Sequence, residues 1–177
     1  MALIKLIEDT QEISVETDAM VRFRSTTESE RDFHPNQATR IDYNRTLYVR
    51  QKPDEVEAAV TGVGERLAFG KLTLPNKWPV WFKGKGANGP VTAPPSLVKE
   101  GILSALVLGG KIQYVRDTPQ EVYDAIKKAG GTPVPPIPQI MSETDTQILE
   151  QQLSTDAVWD SDIKELRIVT DSGPAIE

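Results

Sequence analysis

Residues 113–126 read QYVRDTPQEVYDAI, and residues 47–60 read LYVRQKPDEVEAAV. The two stretches align without a gap at a constant offset of 66 residues, and seven of the fourteen positions are identical. The identical pairs are Tyr48/Tyr114, Val49/Val115, Arg50/Arg116, Pro53/Pro119, Glu55/Glu121, Val56/Val122 and Ala59/Ala125. Such a match indicates an internal repeat, so we expect two copies of one structural unit.

Each copy predicts a short strand that runs directly into a helix. Pro53 and Pro119 suit the first helical turn, where the missing N–H has no intrahelical partner. Thr118 with Glu121 forms a capping-box pattern, whereas Lys52 in the first copy has no capping hydroxyl. Apolar residues then follow the spacing of one buried helix stripe. They are Val56, Ala59, Val60 and Val63 in the first copy and Val122, Ala125, Ile126 and Ala129 in the second.

The sequence before each predicted helix has the pattern of a β-hairpin. Gly109 and Gly110 separate two apolar runs, and Tyr43-Asn44 is the equivalent turn, with Asn44 tolerating a left-handed conformation. Arg50 and Arg116 end the equivalent strands, and we expect them to pair with nearby carboxylates such as Asp54 and Asp117. Further strands are predicted at 3–7, 12–16, 20–24, 71–74 and 80–83, and loops at 25–37 and 84–96.

Composition limits the class of protein. The 177 residues include no cysteine, which excludes disulfides, thiol catalysis and cysteine-ligated zinc. No apolar run approaches the roughly 18 residues of a membrane span, and the N-terminal residues 1–8 are expected to form a strand rather than a secretion signal. The net charge of −6 comes from the C-terminal part, since residues 133–177 hold nine acidic and two basic residues.

The C-terminal part begins with a proline-rich spacer at 132–138, which predicts an extended, stiff segment. Beyond a short helix predicted at 142–153, isolated apolar residues occur in acidic surroundings with too little apolar surface to fold alone. We therefore predict an arm that docks on a partner protein, and a second partner surface around an aromatic strand. The predicted partner-binding residues are Trp159, Ile163, Leu166 and Ile168 in the arm, and Trp78 and Trp81 on the strand.

Several other patterns suggest a binding site, but each has a simpler structural explanation. Residues 84–89 spell G-x-G-x-x-G, but prolines follow where a dinucleotide-binding helix would have to begin. His34 is the single histidine and is expected to be a loop residue. Carboxylates at Asp156, Asp160, Asp162 and Glu165 lack the spacing of a calcium loop, so a solvated acidic arm is favoured. Lys77, Lys83 and Lys85 flank the aromatic residues Trp78 and Trp81, a pattern that suits single-stranded nucleic acid only weakly in an acidic protein.

The chain resembles the small flagellar FlbD-like proteins. The resemblance lies in residues 109–122, GGKIQYVRDTPQEV, and in the short strands before them. Residues 46–56 show the same pattern less closely. The resemblance covers about two thirds of the chain and implies the fold of a hairpin leading into a helix. It also implies a motility or regulatory accessory role, and it brings no catalytic residues.

These patterns predict an α+β protein of two tandem β-rich units, each ending in a strand–helix corner, and an extended C-terminal arm. The predicted domains are residues 1–64, 65–131 and 132–177. The predicted function is a non-enzymatic structural protein without cofactors or metals, such as a virion decoration, cement or joining protein. It would bind subunits of a large assembly, including copies of itself, in the virion or in the host cytoplasm during assembly. The alternatives are a FlbD-like accessory protein and a weak single-stranded nucleic-acid binder.

Overall fold

The computed structural model describes residues 2–65, 68–136, 142–152 and 155–166. This part of the chain contains ten strands and five α-helices, which confirms the predicted α+β class. The first unit contains β1 (Leu3–Glu8), β2 (Gln11–Glu16), β3 (Arg22–Ser25), α1 (Glu28–Phe33), β4 (Thr39–Asp42), β5 (Thr46–Val49) and α2 (Pro53–Gly62). The second contains β6 (Phe69–Thr73), β7 (Pro79–Lys83), β8 (Asn88–Thr92), α3 (Pro95–Lys99), β9 (Ser104–Leu108), β10 (Lys111–Val115) and α4 (Pro119–Lys128), and α5 (Glu143–Gln152) follows.

The repeat extends well beyond the stretch that reveals it. Both units have the element order β-β-β-α-β-β-α, and equivalent elements begin within two residues of the 66-residue offset. Pro53 and Pro119 each begin a helix of ten residues, as predicted. The predicted loops at 25–37 and 84–96 were wrong, because the first contains α1 and the second contains β8 and the start of α3.

The two equivalent helices begin differently, as their sequences predict. Before α4, the Thr118 hydroxyl accepts a hydrogen bond from the Glu121 N–H at 3.2 Å, and the Glu121 carboxylate accepts one from the Thr118 N–H at 2.7 Å. Before α2, the Glu55 carboxylate accepts from the Lys52 N–H at 2.6 Å. The lysine side chain has no oxygen to complete the reciprocal contact, so α2 has half of the capping box.

The two hairpin turns also differ. Gly109 and Gly110 have φ angles of 54° and 80°, the left-handed conformation that a two-residue turn between β9 and β10 requires. The β4–β5 turn has three residues, Tyr43 to Arg45, between the paired Asp42 and Thr46. Asn44 does not have a positive φ, so the prediction of a left-handed asparagine was wrong.

One sheet is shared by the two units. Its strand order is β5-β4-β3-β7-β6, and β3 of the first unit pairs antiparallel with β7 of the second, Arg22 opposite Phe82. The other sheets are the hairpin β1-β2 and the three strands β10-β9-β8. The boundary predicted between residues 64 and 65 therefore separates two repeats in sequence, but these repeats are not independent domains in space.

Both faces of the five-stranded sheet are covered. On one face Phe23, Ile41 and Trp81 pack with side chains of β1, β2 and α2. On the other face Val80 and Phe82 pack with residues of α4 and of sheet β10-β9-β8. The part of this second face formed by β3 and β4 carries charged side chains. In the described residues, no helix is long and apolar enough to cross a membrane.

The C-terminal segment returns to the second unit and reaches both edges of sheet β10-β9-β8. At β8 the Val134 N–H donates to the Gly89 carbonyl at 2.7 Å. At β10 Val158 forms a parallel β-bridge with Ile112. The described residues of the predicted docking arm therefore pair with their own chain, because this sheet offers two open edges for the chain to pair with.

The capping difference gives a matched pair of stability predictions. Lys52→Thr supplies the missing hydroxyl and should raise the free energy of unfolding by about 0.5–1 kcal/mol, whereas Thr118→Ala should lower it by about 1 kcal/mol. Urea unfolding followed by circular dichroism measures both. Equal effects of the same sign in the two variants would contradict the assignment of these two helix starts.

Candidate functional site: a C-terminal clasp on an arginine cluster

Three arginines lie together on the second face of the shared sheet. Alternation along β3 places Arg22 and Arg24 on this face, and the register sets Arg40 of β4 directly opposite Arg24. The side chains of Arg22 and Arg24 are completely buried, with 0% exposure. A buried guanidinium is costly unless it is paired, so this face requires carboxylates.

The first carboxylate is Asp160, which arrives from the C-terminal segment. Its two oxygens accept from both terminal nitrogens of Arg22, at 2.7 and 2.8 Å. They also accept from Arg24, at 3.0 Å from Nη2 and 3.3 Å from Nε. The paired contact with Arg22 is the bidentate arrangement in which charged hydrogen bonds are strongest. Asp160 adopts a left-handed backbone with φ of 60°, which aspartate and asparagine tolerate best among residues with a β-carbon.

Two further carboxylates complete the set. Glu30 of α1 accepts from Arg24 at 2.9 Å on each oxygen and from Arg40 at 2.9 Å. Asp42 of β4 forms ion pairs with Arg22 at 2.8 Å and with Arg40 at 3.0 Å. We call these six residues the arginine cluster: Arg22, Arg24, Arg40, Glu30, Asp42 and Asp160. Their formal charges cancel.

The cluster lowers the pKa values of two carboxyl groups, those of Glu30 and Asp160. Burial alone would raise the pKa of Glu30, but hydrogen bonds and charge from Arg24, with further bonds from Thr27 and Arg40, lower it to about 2. Burial likewise opposes ionisation of Asp160, and the charges and hydrogen bonds of Arg22 and Arg24 hold the pKa of its carboxyl well below the usual range. Both groups are therefore ionised at neutral pH.

The residues around Asp160 dock in the manner of an added strand. The Ile112 N–H donates to the Ala157 carbonyl at 2.8 Å, and the Trp159 N–H donates to the Ile112 carbonyl at 2.9 Å. The Trp159 indole donates to the Leu108 carbonyl at 2.9 Å, and its ring lies 4.2 Å from the guanidinium carbon of Arg22. We call residues 155–166 the clasp, because they contact both units: β3 in the first and β10 in the second.

The apolar residues of the clasp belong to the intramolecular core. Ile163 and Leu166 are buried members of the core cluster that also contains residues of β6, β7, β9, β10 and α4, and Trp159 packs against this cluster. These three residues were predicted to bind a separate partner, and the structure instead places them on their own chain. They pack on their own chain because the clasp lies along β10, which is otherwise an open, apolar edge of the second unit. Ile168, the fourth predicted residue, lies outside the described residues.

The two tryptophans predicted as a second partner surface have different environments. Trp81 is 4% exposed and stacks on Phe23, with ring centroids 5.1 Å apart, so it is a core residue. Its strand is internal to the shared sheet, which the sequence did not reveal. Trp78 is partly buried and lines an open groove of about 460 Å³, together with Arg31, Gln37 and Lys52. Trp78 therefore remains available to a partner, whereas Trp81 does not.

Other predicted pairings also differ. Arg116 donates to the backbone carbonyls of Pro75 and Glu100, and the Asp117 carboxylate accepts from the Thr73 N–H at 2.7 Å. The prediction that Arg116 pairs with Asp117 was thus wrong, because each side chain satisfies a backbone group in the second unit. The carboxylate of Asp160 is occupied by arginines, so it does not converge with exposed Asp162 on a cation.

Sequence reasoning missed the arginine cluster. Arg22 and Arg24 alternate with Val21 and Phe23, a pattern typical of a strand with one solvated face. One local signal was present: Thr27 and Glu30 have the spacing of a capping box. Glu30 in the structure both caps α1 and binds Arg24. No local pattern connects Asp160 to residues more than 130 positions earlier.

Comparisons with protein-family models, with curated protein sequences and with solved structures find no match.

Replacing Asp160 by Asn tests the cluster directly. Asn keeps the size and tolerates the left-handed backbone, but it leaves buried arginine charge uncompensated, so the free energy of unfolding should fall by about 3–5 kcal/mol. Asp162→Asn is the matched control: it removes the same charge from an exposed position two residues away and should change stability by less than about 0.5 kcal/mol. Equal effects of both variants would show that the contacts of Asp160 contribute nothing.

The lowered pKa values also predict a pH dependence. Because Glu30 and Asp160 bind protons less readily when folded than when unfolded, their contribution to stability is complete above the unfolded pKa values of about 4. It should be lost progressively as the pH falls from about 5 towards 2. Unfolding free energies measured across this range should fall less steeply for Asp160→Asn than for the unaltered protein. Parallel curves would contradict this role of Asp160.

Proposed function

We propose that this protein is a non-enzymatic structural subunit of a large protein assembly, with a virion as the setting that the sequence favours. The proposal is supported by the kinds of contact that hold the two units together. A shared sheet and a long-range clasp make one body of two repeats, and the clasp combines strand addition, an aromatic anchor and a paired charge. These are modes by which proteins recognise other polypeptides.

The observation that carries the proposal is an exposed aromatic residue beside an open groove. Phe33, at the end of α1, is 83% exposed. The groove that contains Trp78 is lined by the neighbouring Arg31 and Asn36. Exposed aromatic and arginine side chains are the residue types that most often dominate the binding energy of protein interfaces.

The groove is also lined by polar side chains. Gln37 is buried, and its Oε1 atom has no hydrogen-bond partner among the described residues. Lys52 lies at the start of α2, where the capping hydroxyl is missing. A polypeptide that placed an apolar side chain on Trp78 and a polar group near Arg31 would match this lining. We call Phe33 and this groove the α1 face, and we assign it to a neighbouring subunit.

Replacing Phe33 by Ser tests this assignment. Because the side chain is exposed, unfolding should change little, whereas incorporation into the assembly should fall by about tenfold or more, the usual effect of losing an interface hot spot. Val63→Ser is the matched control, since it removes another exposed apolar side chain, at the end of α2. Sedimentation of the purified protein, and of lysate from cells that naturally make it, measures incorporation. A protein that sediments only as a monomer in both would contradict the proposal.

A further inference from the structure

We infer that the free edge of β6 is a docking site for an extended segment of another protein, which adds to the shared sheet as a further strand. The segment carries alternating acidic and apolar side chains, and we call it the guest strand. In the sheet order β5-β4-β3-β7-β6, β6 pairs with β7 on one side only. Such edges offer unpaired backbone groups to an extended chain. The site lies apart from the α1 face and does not depend on the proposed function.

The hydrogen bonds of β6 show which of its residues face outward. In an antiparallel pair, the backbone groups of successive residues point alternately towards the neighbouring strand and away from it. The bonds that continue the pairing of β6 with β7 join Ala68 to Gly84 and Leu74 to Trp78. The even-numbered residues of β6 therefore face β7, and the odd-numbered residues direct their N–H and C=O groups away from the sheet.

The chain satisfies one end of this edge and leaves the rest unpaired. The Thr73 N–H donates to the Asp117 carboxylate at 2.7 Å, and the Thr73 carbonyl accepts from the Arg116 N–H at 2.8 Å. In the part of the chain that the structure describes, the outward groups of Phe69 and Lys71 have no hydrogen-bond partner. The open stretch from residue 69 to residue 71 spans about 7 Å, at about 3.4 Å per residue, so it can pair with a short strand.

Helices on both faces of the sheet turn this edge into a groove. Helix α2 packs on the face that carries Trp81, and α4 packs on the face that carries Phe82. A groove of about 440 Å³ is lined by residues 69–71 of β6 together with residues of both helices. A guest strand would therefore lie between two helices and bury its side chains on both faces, as an internal strand does.

The α4 side of the groove has room for an apolar side chain. The lining residues on this side are small: Gly70, Ala125 and Ala129. Gly70 lies opposite Phe82 in the register, and a β-carbon on residue 70 would overlap the ring of Phe82. Because β6 carries no side chain at this point, an apolar side chain of the guest strand can occupy the space beside Ala125.

The lining also carries an excess of positive charge. Lys71 is exposed, and its ammonium lies 4.8 Å from the centre of the Trp81 ring on the α2 side. Lys128 of α4 is a second exposed lysine in the lining, where Glu57 is the one carboxylate. Because successive side chains of a strand point to opposite faces, alternating acidic and apolar residues would place carboxylates beside Lys71 and apolar groups beside Gly70.

The charge at this edge disfavours a second copy of the chain as the occupant. Antiparallel pairing of two β6 edges about Lys71 would set two lysines directly opposite each other, and like charges in that position destabilise a sheet. An acidic guest strand places opposite charges together instead. The edge therefore suits a different polypeptide better than it suits itself.

A short peptide of alternating glutamate and valine residues is the probe, and amide hydrogen exchange measured by NMR is the readout. In the free protein, the amides of Phe69 and Lys71 should exchange rapidly, whereas the Thr73 amide, which donates to Asp117, should be protected. Saturating peptide should slow exchange at Phe69 and Lys71 by about tenfold or more and leave Thr73 unchanged.

N-methylated peptides distinguish strand addition from attraction between charges. One analogue carries N-methyl groups on its glutamates and the other on its valines, so both keep the charge of the probe. The N–H groups of a strand alternate between its two sides, and in an antiparallel guest strand the residue opposite Lys71 directs its N–H towards β6. The analogue methylated on glutamate should therefore lose binding, whereas the analogue methylated on valine should keep it.

A matched pair of variants tests the role of charge. Lys71→Glu should weaken binding of the probe severalfold, whereas Lys127→Glu makes the same change at an exposed position outside the groove lining and should have little effect. Equal losses in the two variants, or equal binding of the two N-methylated peptides, would overturn the inference. So would unchanged exchange at Phe69 and Lys71 with the probe present. Protection of these amides in a free protein that sediments as a dimer would show that a second copy fills the edge, which also overturns it.

Discussion

Two completely buried arginines, Arg22 and Arg24, are neutralised in part by a carboxylate that follows Arg24 by 136 residues in the chain. Removing two guanidinium groups from water has a large energetic cost, which is offset only when every charge has a partner in good geometry. Glu30 and Asp42 supply two of the three negative charges locally, and Asp160 supplies the third from the C-terminal segment. Folding of the shared five-stranded sheet is thereby coupled to docking of the clasp. The clasp in turn joins β3 of the first unit to β10 of the second.

The same contacts explain why the two repeats are not interchangeable. At the 66-residue offset, Asn88 stands where the first unit has Arg22, and Pro90 stands where it has Arg24. The strand β8 therefore presents no buried cations, and its outer edge receives Val134 rather than a strand like β7. Pro90 also lacks the backbone N–H that Arg24 has at the equivalent position, and in the described residues the five-stranded sheet is the one sheet that the two units share. The C-terminal segment covers the open edges of sheet β10-β9-β8.

The sequence was sufficient for those parts of the fold that depend on local patterns. The positions of Pro53 and Pro119, the capping box at Thr118 and the two-glycine turn at Gly109 were predicted because each follows from the conformation of a few consecutive residues. The pairing of β3 with β7 was not predicted, since antiparallel pairing between distant strands leaves no periodic signal. The arginine cluster was missed for a related reason. An arginine that alternates with apolar residues indicates a solvated face of a strand unless a carboxylate from elsewhere covers it. Asp160, which covers these arginines, lies in a stretch whose composition resembles a solvated acidic tail.

The central claim is that the clasp belongs to the cooperatively folded body and is not an appended arm. Native-state hydrogen exchange tests it at single residues. The amides of Trp159 and Ile112 join the clasp to β10, and the amide of Leu106 in the central strand β9 reports on the body. If the clasp is part of the core, the free energies of opening of Trp159 and Ile112 should lie within about 1 kcal/mol of that of Leu106. Rapid exchange at Trp159 and Ile112 while Leu106 stays protected would contradict the account.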